Sequence, residues 1–152
     1  MRTTRRGRPR RSDLDARIRA AVRLVGDPIA LEDMALAARP AVQLVASTEL
    51  RGRTCADGLA LARILRQALG DIARDLEGFP VGKLAATLLD GRSQAEAATE
   101  LGITDEHLCR RWKPVLIELV AERLDVMDER ARTLSISSND VSSSTNIAPN
   151  AR

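Results

Sequence analysis

Two aromatic side chains, Phe79 and Trp112, are all that 152 residues offer, and there is no Tyr. β-Sheets fill their pleated surfaces with aromatic and β-branched side chains, so this poverty disfavours a β-rich fold. It also argues against nucleic-acid readers that stack bases on an aromatic platform. Hydrophobic residues still make up 44% of the chain and charged ones 30%. That composition suits a globular protein of one domain, or two very small ones. The apolar side chains recur at helical spacing. Over 56–77, Leu61, Leu65, Ala68, Leu69, Ile72 and Leu76 fall in one stripe. The expected class is therefore all-α, a helical bundle.

The punctuation of the chain divides this bundle. Ser12 or Asp13 caps a first helix carrying Leu14, Ile18, Ala21, Val22 and Val25, and Gly26-Asp27-Pro28 stops it. A second helix is expected over 29–38, with Ile29, Met34 and Ala35 on one side, and Pro40 breaks or kinks it. The apolar run 41–47 fits a helical turn or a short strand, and its periodicity does not separate the two. Thr54 is expected to cap the long central helix, Gly78 to end it and Pro80 to start the next. Residues 132–152, rich in Ser, Asn and Thr, read as a disordered tail.

Several functions are disfavoured by composition. One His and two Cys do not make a four-ligand zinc site in one chain. One His among scattered acids gives no nucleophile–base arrangement, and no phosphate-binding or dinucleotide glycine pattern occurs. The adjacent acids Asp105/Glu106 and Asp128/Glu129 diverge on a helix and are expected to face solvent. Cys55 and Cys109 read as reduced thiols, Cys109 as a small residue on a helix face. No run of 18 apolar residues is present, so no membrane span is expected. The expectation is a cytoplasmic protein that is not an enzyme and needs no cofactor or metal.

The net charge of +3 conceals an asymmetry. Residues 1–11 carry six arginines and no acid. Residues 12–79 hold nine basic and ten acidic side chains, and residues 80–131 hold seven and ten. The folded part is slightly acidic and the basicity belongs to an N-terminal arm. Such an arm cannot fold on itself and seeks a polyanion, most commonly nucleic acid, through counterion release.

The segment after Pro80 carries the most specific pattern. Lys83–Leu89 reads as a short helix and Asp90-Gly91-Arg92 as a turn. Ser93 followed by Glu96 reads as a capping box, with Ala97, Ala98 and Leu101 on the inner face. Gly102 suits a left-handed turn, Ile103 inserts into the core, and Thr104 caps a helix over 105–113 that buries Leu108 and Trp112. Pro114 is expected to end that helix and to start another over Val115–Glu129, a last core helix or an oligomerisation surface.

The stretch Gln94–Lys113 resembles a helix-turn-helix. The wider run from Gly91 to Arg111 is similar to region four of bacterial sigma factors and to the LuxR-type response-regulator domain. Gly91, Ser93, Glu96, Ala97, Ala98, Leu101, Gly102, Ile103 and Thr104 occupy the places of that pattern. The resemblance implies a DNA-binding element whose second helix reads the major groove. It puts Thr104, His107, Arg110, Arg111 and Lys113 on the DNA side, with Lys113 the phosphate contact, and Ser93 and Gln94 at a helix N-terminus facing a phosphate. Asp105 and Glu106 depart from the pattern, because acids there repel phosphate. Arg110 and Arg111 are alternatively a solvated face, paired with Asp105 or Glu106.

The arm resembles an AT-hook: Arg6, Gly7, Arg8 and Pro9 match its arginine–glycine–arginine–proline core. Gly lets the backbone lie deep in a narrow groove, Pro keeps it extended, and Arg5, Arg6, Arg8, Arg10 and Arg11 follow the negative potential of A·T tracts.

The sequence thus reads as a disordered basic arm (1–11), a helical segment of possible oligomerising role (12–79), a helix-turn-helix domain (80–131) and a tail (132–152). The function expected is sequence-specific binding of double-stranded DNA by a bacterial or phage transcriptional regulator, as a homodimer, with RNA polymerase a further possible partner. The alternatives are a small-terminase-like protein that recognises DNA for packaging, and a helix-turn-helix module that contacts protein.

Overall fold

Leu61, Leu65, Ala68, Leu69 and Ile72 lie buried on one long helix, Ala56–Asp75, around which the other elements gather. The computed structural model describes residues 11–147, with side chains described from 13 to 136. In chain order the elements are α1 (Arg11–Arg23), α2 (Pro28–Leu31), a 3₁₀ turn (Ala35–Ala38), α3 (Pro40–Thr48), α4 (Ala56–Asp75), α5 (Pro80–Leu89), α6 (Gln94–Leu101), α7 (Asp105–His107), a π-helical turn (Leu108–Trp112) and α8 (Lys113–Ile147). No strand occurs among the described residues, so the chain is all-α.

The core is continuous. Ile18 and Val22 of α1, Leu31, Val42 of α3, Leu84 of α5, Leu108, and Leu116, Ile117, Val120 and Leu124 of α8 join the α4 stripe in a single buried cluster. Each fully buried Leu or Ile contributes about 1.5–3 kcal/mol. The segments 12–79 and 80–131 therefore share one hydrophobic core. Two glycines allow its closest backbone approaches. A Cβ on Gly58 would stand 1.9 Å from the Pro28 carbonyl oxygen, and one on Gly82 would stand 2.1 Å from that of Leu76.

The structure differs from the sequence-based expectations at several points. The helix expected over 29–38 divides into α2 and the 3₁₀ turn, and Ile29 is 75% exposed. Asp27 sets this phase: its carboxylate accepts the Ala30 N–H at 3.2 Å, so α2 starts at Pro28 and buries Leu31 instead. The run 41–47 lies within helix α3, with Pro40 at its first position. Thr54 does not cap α4; Cys55 takes that place with φ 58, a left-handed conformation uncommon outside glycine.

Pro114 does not end its helix. Proline lacks an N–H, and its ring presses on the carbonyl four residues earlier. The wider π turn precedes it, with Lys113 N–H bonded five residues back to Leu108 O, and the chain continues into α8. Helix α8 also passes the boundary expected near 131 and reaches Ile147. No Gly or Pro interrupts the chain between Pro114 and Pro149, and hydroxyls fold back on the helix, as Thr133 Oγ1 does on Glu129 O at 3.0 Å.

Asp128, expected to face solvent, is 3% exposed. Its carboxylate accepts from Arg39 Nε at 2.7 Å and from the Ala41 N–H at 3.0 Å, and so ties α8 to the start of α3. Among the described residues, no helix is long and apolar enough to cross a membrane.

Candidate nucleic-acid interface

Three local caps shape residues 93–108. Ser93 Oγ accepts the Glu96 N–H at 3.1 Å while Glu96 Oε1 accepts the Ser93 N–H at 2.9 Å, the reciprocal box its spacing suggested. Gly102 closes α6 at φ 73, and the Ile103 N–H returns to Ala98 O at 3.0 Å. Thr104 Oγ1 then accepts the His107 N–H at 3.0 Å and starts α7. A turn of three residues thus joins α6 to the next helix. Ala97, Ala98 and Leu108 are buried beneath it, with Ile103 and Trp112 packed at the edge of the core.

Charge on α6 is largely self-compensated. Arg92 bonds Glu100 and lies 3.6 Å from Glu96 Oε2, and Lys83 Nζ stands 3.5 Å from Glu100. The hydrogen bond to Glu100 raises the Arg92 pKa, and the same bond lowers that of Glu100. Glu96 is lowered chiefly by the backbone N–H of Ser93.

The residues expected at the interface separate into groups. Arg5, Arg6, Gly7, Arg8 and Arg10 lie outside the described residues, and Arg11 opens α1. Ser93 is occupied by its cap. Gln94 is likewise engaged, its Oε1 accepting from Lys113 Nζ at 2.9 Å and its Nε2 donating to Cys109 Sγ at 2.6 Å. Gln94, Cys109 and Lys113 are therefore brought together, bridging the start of α6 to the start of α8. Thr104, His107, Arg110 and Arg111 are exposed. Arg110 pairs with Glu106 at 2.7 Å one turn earlier, and the Arg111 guanidinium lies 5.4 Å from the centre of the Trp112 ring. Glu106 is one of the two acids that the sequence offered Arg110 as a partner.

Lys113 has neighbours that sequence reading missed. Its pKa is lowered, first by burial of the ammonium and further by Arg19 and Arg23 of α1, while Cys109 acts in the opposite sense. Arg19 and Arg23 are four residues apart and share a helix face. Only that spacing was visible in the sequence; the packing of α1 against α8, the helix that begins at Lys113, was not.

Comparison with family models, with curated proteins and with solved structures finds no match to this chain.

Proposed function

We propose that this chain binds double-stranded DNA sequence-specifically and regulates transcription as a homodimer. The observation that carries the reading is the junction at Gly102: a capped helix, a left-handed glycine, and a second capped start at Thr104 within three residues. That junction supports the helix-turn-helix reading, in which the second helix enters the major groove. Thr104, His107, Arg110 and Arg111 are then the base-facing side chains, and Lys113 contacts phosphate. Arg110 must exchange Glu106 for a base or a phosphate, an exchange helped by the exposure of both partners. The basic arm adds minor-groove affinity. A second copy is the proposed cover for Val126, Leu134 and Ile136, large apolar side chains exposed on α8.

The neutralised Arg110 favours a second reading, a module whose exposed α7 contacts protein. Fluorescence anisotropy of a labelled duplex of about three helical turns, roughly 30 bp, titrated with the full chain separates them. The DNA reading expects saturable binding that unlabelled duplex displaces. Absence of binding at low salt would leave the protein-contact reading.

A further inference from the structure

Where α4 turns into α5 through Gly78 and Phe79, a cleft of about 610 Å³ opens beside the turn. Ala86 of α5 and Leu101 of α6 line it, together with Phe79, which is 59% exposed. The charged groups on its lining are Arg74, Glu77 and Lys83, so cations outnumber acids there. A concave site of this size, apolar with a few charged groups, is the kind that small molecules occupy.

Gly70 of α4 also lines the cleft. Glycine is the poorest residue after proline for a helix interior, so its presence there needs a reason. At Gly82, on α5, packing supplies one, since a Cβ would meet the Leu76 carbonyl. At Gly70 packing does not. Among the described residues, a Cβ there meets only Leu89 Cδ2, at an ordinary 3.8 Å. A molecule seated in the cleft supplies the missing reason, because a larger side chain at this position would take up its space.

We propose that this cleft binds a small molecule with an apolar body and one carboxylate. Phe79, Ala86 and Leu101 cover the body, and Lys83 meets the carboxylate. Arg74 is held by Asp71 at 2.6 Å, whereas Lys83 Nζ stands 3.5 Å from Glu100, which also bonds Arg92. Lys83 is thus the cation more readily turned to a ligand, and exchange of an exposed ion pair costs little. The site does not depend on the DNA-binding reading.

The test is calorimetric titration of the full chain with sodium octanoate, and with octanol as its uncharged counterpart. Wild type is expected to bind octanoate saturably, one molecule per chain. Lys83→Gln is expected to weaken octanoate about tenfold, the loss of one charge-assisted contact, and to leave octanol unchanged. Gly70→Leu, which fills the cleft, is expected to abolish binding of both. Gly70→Ala guards against a folding defect in that variant. It is expected to melt above wild type, because alanine favours the helix and the site has room, and to weaken both ligands. Absence of saturable octanoate binding to wild type would overturn the proposal, as would wild-type affinity in Gly70→Leu or an equal loss of octanoate and octanol in Lys83→Gln. A Gly70→Ala variant that melts below wild type would show that packing does require this glycine, and the argument from it would fall.

Discussion

Asp128 reaches from α8 to two groups at the start of α3, the Arg39 guanidinium and the Ala41 N–H. Helix α3 has no side-chain cap of its own, because Arg39 stands at the N-cap position. Asp128 supplies that cap from another element, while Asp125 holds the second arm of Arg39 at 2.8 Å. Removing one partner of a buried pair leaves the other uncompensated, which is why such losses are large. Asp128→Ala is expected to destabilise the fold by about 2–4 kcal/mol, measured by urea denaturation. Asp128→Asn, which retains an acceptor for Ala41, is expected to lose less. Equal stability of Asp128→Ala and wild type would remove this contact from the account. The sequence could not reveal it: Arg39 and Asp128 are 89 positions apart, and a carboxylate beside Glu129 has the pattern of a solvent-facing pair.

At the scale of elements, α6 stands out as a helix whose ends are written locally. The Ser93–Glu96 box and the Gly102 turn were both legible, because each depends on residues within five positions of one another. Its acids also give it a pH dependence. Glu96 and Glu100 have pKa values lowered below the ordinary 4.5, Glu96 by the Ser93 N–H and Glu100 by Arg92. A carboxylate lowered in the fold binds fewer protons there than in the unfolded chain. Its contribution is complete above the ordinary value and disappears as pH falls through the folded one. Glu96→Gln is therefore expected to melt below wild type at neutral pH, with the gap closing on acidification below 4.5. A gap that persists unchanged in acid would contradict this sign. The junction of α7 and α8 was less legible. Proline after a helical run normally signals an end, and the π turn that admits Pro114 has no marker in the sequence.

At the scale of the molecule, the helical class followed from aromatic poverty and apolar spacing, since both are properties of the chain alone. The union of residues 12–79 and 80–131 in one core did not, because α1, α3 and α4 each meet α8 only through long-range packing. Helix α8 is 35 residues, about 52 Å long, and among the described side chains the last buried one on it is Ala131. The exposed Leu134 and Ile136 fit the proposal of a dimer. A dimer that reads DNA through one helix of each copy requires two half-sites related by its own two-fold axis. Selection of random duplex DNA on the full-length chain, at a physiological salt of about 150 mM, tests the central claim most directly. The account predicts recovery of a motif with two symmetric half-sites. Failure to enrich any sequence, or enrichment of A·T-rich tracts alone, would contradict it and leave the arm as the sole DNA contact.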